Sequence, residues 1–160
     1  MACPYFMPVE KFQNGAWPHP GRLPLGGGWR GHCTAPGHEG QVPSQSALES
    51  FCNLGYASAC SWSPQERRWD SVRFAVTAPE VVKPKTPISL TAPARVLQLR
   101  YVCERNHLPV EHGGLEFDLS KVEWLRRHQD ERVQKMAECF LESYLTKEGA
   151  KPLPAIQTAS

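Results

Sequence analysis

RVLQLRYVCE, at residues 95–104, alternates apolar with mainly polar side chains along its whole length. Alternate residues of a β-strand point to the same face, and the more apolar set here is Leu97, Leu99, Tyr101 and Cys103. This pattern predicts a strand with one face packed against a core. It also predicts that Cys103 is a buried core residue rather than a reactive thiol.

The sequence on either side of this strand predicts a small antiparallel sheet. Residues 71–77 (SVRFAVT) alternate in the same way, and residues 115–119 form a shorter apolar segment further along the chain. The segment 106–114 would then be a hairpin loop, which we expect to be longer than a tight turn. Residues 78–94 contain four prolines, which indicates an extended connector.

A long helix is predicted after the sheet. Ser120 and Glu123 match a capping box, and apolar residues then recur near helical spacing as far as Gly149. The polar stretch around Asp130 weakens this pattern and is compatible with a break there. Cys139 lies in the apolar stripe, so we expect it in the core.

Residues 1–64 differ in composition from the rest of the chain. They contain eight of the 15 prolines, nine of the 12 glycines and four of the six cysteines, but only six charged side chains. Proline and glycine disfavour regular elements, whereas low charge argues against disorder. We therefore predict an α+β protein in three parts. A cysteine-rich, irregular metal-binding region (1–70) precedes a unit with a small antiparallel sheet and a long C-terminal helix (71–150), and a flexible tail (151–160) follows.

Four cysteines of the first region are the main chemical signal: Cys3, Cys33, Cys52 and Cys60, separated by 29, 18 and 7 residues. No Cys-x-x-Cys pair occurs, so the common zinc-ribbon and bacterial-ferredoxin spacings are absent. Four thiolates complete the ligand set of a [4Fe–4S] cluster or of a tetrahedral zinc ion. Widely separated ligands in aromatic-rich, charge-poor surroundings favour the cluster. Zinc, or no metal at all, are the alternatives.

The order of these cysteines resembles an uncharacterised four-cysteine module found at the N-termini of various bacterial proteins. The segments CPY (3–5), HC (32–33), FC (51–52) and the later Cys60 are similar to its motifs. Those motifs are Cys-Pro-aromatic, His-Arg-Cys, Cys-Leu with a tyrosine, and a final Cys-Pro-aromatic. The resemblance covers residues 3–62 only. It implies that the four cysteines act together, and it identifies neither a metal nor a reaction.

Charge, hydropathy and motifs exclude several classes of function. A formal net charge of +2 offers no electrostatic case for binding nucleic acid or a membrane surface. No apolar run is long enough to span a membrane, and residues 1–12 lack the pattern of a signal peptide, so we expect a cytoplasmic protein. Gly26, Gly28 and Gly31 match GxGxxG but lack the preceding strand and following helix that a dinucleotide site needs.

There are three weaker candidate sites. His32 and His38 could replace a cysteine as metal ligands, and Cys103 could act as a nucleophile with His107 or His112 as its base. Residues 67–69 (Arg-Arg-Trp) could form a small basic patch. Glu111 and His112 together are a further candidate for acid–base chemistry or metal binding. We expect His32 and His38 to be partly exposed loop residues, Glu111 and His112 to be surface hairpin residues, and Cys103 to be a core residue. Without a wider basic surface, residues 67–69 are not favoured as a binding patch.

Two functions remain. The first is a small soluble iron–sulfur protein in which Cys3, Cys33, Cys52 and Cys60 bind one [4Fe–4S] cluster for electron transfer, redox sensing or service as an accessory subunit. The alternative is a protein-interaction or scaffold module that zinc or a cluster stabilises, with no redox role. Either function implies a protein partner. Because no substrate or nucleotide motif is evident, the sequence favours a carrier over an enzyme.

Overall fold

The computed structural model describes residues 2–12, 23–81 and 95–147. These residues form two antiparallel sheets and a C-terminal helix, so the fold is mixed α+β. No helix within these ranges is long and apolar enough to cross a membrane. The predicted helix end at Gly149 and the predicted tail at 151–160 lie outside the described residues.

The larger sheet has four strands in sequential order, β3-β4-β5-β6. Their bounds are Ser71–Val81 (β3), Arg95–Arg105 (β4), Leu108–Asp118 (β5) and Glu123–Arg126 (β6). The strands predicted at 71–77 and 95–104 are confirmed, and Leu97, Leu99 and Cys103 are buried as expected. Strand β3 continues into the predicted connector, of which residues 82–94 lie outside the described residues.

The hairpin between β4 and β5 is tighter than the sequence predicts. Only Asn106 and His107 connect the two strands, and both have positive φ, 52° and 62°. This left-handed conformation matches the twist of the flanking strands, and asparagine adopts it readily. The prediction of a longer loop was wrong because Pro109, Gly113 and Gly114 lie within β5. Gly113 pairs with Tyr101, whose ring occupies the space that a Cβ would need.

The C-terminal helix α2 (Glu131–Lys147) begins later than predicted. The helix predicted from Ser120 was wrong over its first turns, because Glu123–Arg126 instead forms β6 and pairs with the end of β5. The helix starts at the predicted break. There, Oδ1 of Asp130 accepts the backbone N–H of Arg132 at 2.9 Å, which satisfies one of the free donors of the first turn.

The smaller sheet pairs β1 (Phe6–Lys11) with β2 (Trp29–Cys33), and Phe6 lies opposite Cys33. Three short helical segments follow: α1 (Gln45–Ala47), a π-helical turn (Leu48–Cys52) and a 3₁₀ turn (Ala57–Ala59). Asn53 fastens these segments to β2. Its buried side chain accepts the backbone N–H of Trp29 at 3.0 Å and donates to the carbonyl oxygens of Trp29 and Leu48.

One hydrophobic cluster joins the cysteine-bearing segments to the larger sheet and α2. Its buried members include Cys3, Phe6, Leu48, Cys52, Val72, Cys103, Val133, Met136 and Cys139. Ala2 and Val72 exchange two backbone hydrogen bonds of 2.9 Å, which attach the chain start to β3. The N-terminal segments are therefore packed on the same core as α2.

Candidate metal centre

The four cysteines predicted as ligands line one cavity of about 440 Å³. The rest of its wall is mainly apolar and comprises Phe6, Val42, Pro43, Ser44, Ala47, Phe51, Ser61 and Trp62. Three of the thiols are buried, and Cys60 is partly exposed. The fold thus brings cysteines from four separate segments to the wall of one cavity.

Each cysteine reaches the cavity from the end of a local element. Cys3 precedes β1, and its backbone N–H donates to the carbonyl oxygen of Cys52 at 3.1 Å. Cys33 is the last residue of β2, Cys52 ends the π-helical turn, and Cys60 follows the 3₁₀ turn. Gly31 permits this geometry in β2, because a Cβ there would lie 2.0 Å from the carbonyl oxygen of Met7.

Backbone N–H groups lie near two of the sulfurs. The N–H of Ala35 donates to Sγ of Cys33 at 3.3 Å. The backbone N–H groups of Tyr5 and Phe6 act to lower the pKa of Cys3, although burial outweighs them. Such donors stabilise the thiolate form of a cysteine, and hydrogen bonds to sulfur tune the potential of iron–sulfur clusters.

Burial nevertheless keeps these thiols protonated in the metal-free chain. It raises the pKa of Cys3 to about 12, and electrostatic repulsion from the neighbouring thiol groups of Cys60 and Cys33 adds to the shift. Burial likewise raises the pKa of Cys33 and of Cys52. A metal that binds these sulfurs must therefore displace their protons. Neighbouring thiols contribute to the raised pKa of Cys3, Cys33 and Cys52, in keeping with their shared position around the cavity.

The donor chemistry at this cavity is that of a thiolate metal site. Four thiolates are the ligand set of a tetrahedral zinc ion and also of a four-iron cluster. Within the described part of the chain, no group of three or more His, Cys, Asp or Glu side chains is arranged to hold a metal ion. Four thiols and a mainly apolar wall line one cavity, so the type of donor suits either group.

Among the described residues that line this cavity, none is a histidine. His38 stacks on Trp62, with ring centroids 4.6 Å apart and an interplanar angle of 5°, and its Nδ1 is 3.1 Å from Oε1 of Gln41. His32 lies within β2. The structure thus brings together the four predicted cysteines and does not add His32 or His38 to them.

Sequence reasoning missed Arg132, which lies beside two of the cysteine-bearing segments. Its guanidinium carbon is 5.2 Å from the ring centroid of Tyr5, and its Nη1 is 3.5 Å from Oγ1 of Thr34. Tyr5 and Thr34 follow Cys3 and Cys33 closely in the chain. The sequence does hold one signal for it. Asp130 lies at the predicted helix break, where an aspartate is typical of a helix cap, and Arg132 follows two residues later.

The weaker candidate sites have structural partners. Cys103 and Cys139 are 0% and 2% exposed, so the prediction that they are core residues is confirmed. Arg67 pairs with the buried carboxylate of Asp70, and Arg68 pairs with Glu111 at 2.8 Å. Both arginines of the candidate basic patch are therefore paired with carboxylates.

Glu111 also faces His128, a residue that the sequence did not single out. Its Oε1 is 3.5 Å from Nε2 of His128. Nδ1 of His128 accepts the backbone N–H of Asp130 at 2.9 Å. The contacts of this histidine fasten the segment before α2 to β5. His112 pairs with Val102 across the ladder, and His107 packs against the ring of Tyr56 at the hairpin turn.

No protein-family model, curated protein or solved structure matches the chain.

Proposed function

We propose that Cys3, Cys33, Cys52 and Cys60 bind one [4Fe–4S] cluster, and that the protein transfers electrons, senses redox state or serves as an accessory subunit of a larger complex. The observation that supports this proposal is the single cavity that all four side chains line. The four cysteines are separated by 29, 18 and 7 residues, so packing of four distant segments is needed to bring them together. Four sulfur donors are a complete ligand set for such a cluster.

A bound cluster supplies a centre that gains and loses one electron, with partner redox proteins as the donor and the acceptor. The residues of this chain have three tasks. Four thiols lose their protons on binding, and the apolar wall formed by Phe6, Phe51 and Trp62 limits the access of water. Backbone N–H groups of residues that follow Cys3 and Cys33 stabilise the thiolate form of these two cysteines. Reduced thiols are typical of the cytoplasm, which is where we place the protein.

Partial exposure of Cys60 supports the expectation of a protein partner. The other three thiols are buried, whereas Cys60 is partly exposed, and the exposed residues Val42 and Ser61 lie on the same wall. Electron exchange with a partner requires a short path from the centre to the surface. These residues bring the wall of the cavity to the surface of the protein.

The test is the metal content of protein purified without oxygen. We expect a brown protein with about four irons and four acid-labile sulfides per chain, as the cluster's composition requires. Alanine substitutions at Cys3, Cys33, Cys52 and Cys60, one at a time, should each lower the iron content strongly. Alanine at Cys139, which is equally buried but lies in α2, is the matched control and should keep the iron.

Other results would decide against the proposal. A colourless protein with one zinc per chain would support the alternative, a scaffold whose metal only holds the fold. A chain free of metal after anaerobic reconstitution with iron and sulfide would reject both. Full iron content in the Cys3→Ala variant would show that the ligand assignment is wrong.

A further inference from the structure

Arg132 connects α2 to two of the four cysteine-bearing segments. Its guanidinium lies over the ring of Tyr5, two residues after Cys3, and reaches the hydroxyl of Thr34, the residue after Cys33. A planar guanidinium both stacks on an aromatic ring and donates several hydrogen bonds, which a lysine cannot do in the same way. One side chain of the helix therefore touches both segments that begin the candidate metal centre.

Asp130 fixes the direction of this guanidinium. Its Oδ2 accepts from Nη2 of Arg132 at 2.7 Å, and its Oδ1 accepts from Nε at 3.1 Å. Such a two-point contact orients the planar group more strictly than a single hydrogen bond. Because Oδ1 also caps α2 through the backbone N–H of Arg132, the carboxylate cannot turn away without loss of the cap.

The charge of Arg132 lies close to the segment that carries Cys3. Its guanidinium carbon is 5.2 Å from the ring centroid of Tyr5, two residues after Cys3, and it interacts electrostatically with Asp130 first, then with Tyr5 and Cys3. Four thiolates and a cluster form a negatively charged group, and each electron taken up adds one further negative charge. A nearby cation stabilises the reduced form more than the oxidised form, and it therefore raises the reduction potential.

We propose that Arg132 is a positioning residue of the candidate metal centre: it ties the Cys3 and Cys33 segments to α2 and raises the reduction potential of the bound cluster. This inference rests on the function proposed above. The clamp is a property of the metal-free chain, and the effect on the potential is a property of the loaded chain. The two parts are therefore measured separately.

The test compares Arg132→Gln and Arg132→Lys with the wild type and with Arg127→Gln. Arg127 is a matched control because it is exposed, lies just before α2 and also pairs with a carboxylate, that of Glu138 at 3.6 Å. The first readout is the midpoint potential of the loaded protein in a redox titration. The second is the rate at which iodoacetamide labels Cys3 and Cys33 in the metal-free protein, followed by peptide mass spectrometry.

We expect Arg132→Gln to lower the equilibrium constant for reduction on the order of tenfold, which for a one-electron couple is about 59 mV. Labelling of both thiols should become faster because the two segments lose their common contact. Arg132→Lys keeps the charge and should retain most of the wild-type potential, while its labelling stays fast. Arg127→Gln should match the wild type in both readouts.

Two outcomes would overturn the inference, and they are distinguishable from failure of the proposed function. If the wild type binds iron and the Arg132→Gln variant has the same midpoint potential as the wild type, Arg132 does not tune the centre. If labelling of the metal-free variants equals that of Arg127→Gln, there is no clamp. A wild type that binds no iron would instead remove the proposed function and with it this inference.

Discussion

Alanine at Gly31 is expected to force β1 and β2 apart next to Cys33. A Cβ at this position would lie 2.0 Å from the carbonyl oxygen of Met7 and 2.9 Å from Cε2 of Phe6. Real Cβ contacts are essentially never shorter than 3.0 Å, so the carbonyl must move by about 1.0 Å. That atom is backbone, held by the pairing of β1 with β2, and no rotamer change relieves the overlap. Overpacking typically costs about 1–3 kcal/mol, and we expect a value near the upper limit.

Urea denaturation followed by tryptophan fluorescence measures this cost. A loss of about 3 kcal/mol corresponds to a decrease in Tm of about 6–12 °C for a chain of this size. Gly114→Ala is the matched control, because it also places a methyl group in a strand but meets nothing closer than 3.9 Å. The control should stay within about 0.5 kcal/mol of the wild type. Equal stability of the two variants would refute the close approach of β1 to β2 at Gly31.

Three further perturbations test the fold around the site. Asn53→Ala removes the buried partner of the Trp29 N–H and carbonyl groups, and urea denaturation should show a loss of about 3 kcal/mol. Asn106 has a φ of 52°, in the left-handed region that alanine disfavours and glycine adopts freely. Asn106→Ala should therefore lower the free energy of unfolding by about 1 kcal/mol, whereas Asn106→Gly should be nearly neutral. For metal-free protein, the free energy of unfolding should fall as pH rises above 9.0, the pKa of an exposed thiol, towards about 12, the pKa of buried Cys3 and Cys139. Over this range the unfolded chain loses thiol protons that the folded chain retains, so each buried thiol makes the free energy of unfolding fall by about 1.4 kcal/mol per pH unit. Cys139→Ala should make this dependence on pH less steep in urea titrations. An unchanged pH dependence would contradict the raised pKa of Cys139.

The strands of the larger sheet were predictable because their pattern is local. One face of β4 is buried by α2 and the other is open, so period-two alternation is present in the sequence itself. The tight turn at Asn106 and His107 was not predictable from the same pattern. Two adjacent glycines at 113 and 114 indicate a loop when the sequence is considered locally. In the fold they belong to β5, because the ring of Tyr101 on the neighbouring strand fills the space beside Gly113.

The start of α2 shows how tertiary packing overrides a local signal. Ser120 and Glu123 match a capping box, yet the segment joins the sheet because Trp124 packs edge-on against Phe117 of β5, with ring centroids 5.2 Å apart. This burial is worth more than a cap, which contributes about 1 kcal/mol. Asp130 then supplies the cap at the point where the chain leaves the sheet.

The composition of the candidate site was predictable, whereas its assembly was not. Cysteine, glycine and proline content identified the four thiols, but local patterns carry no information on pairing between β1 and β2 or on the side chain that joins Thr34 to a residue 98 positions away. Those contacts explain why α2 matters to the site. The helix that covers the larger sheet also carries Arg132 and contributes Val133, Met136 and Cys139 to the hydrophobic cluster that includes Cys3. Any change that loosens the first turn of α2 must therefore loosen the candidate metal centre as well, even though no residue of α2 is among the four predicted ligands.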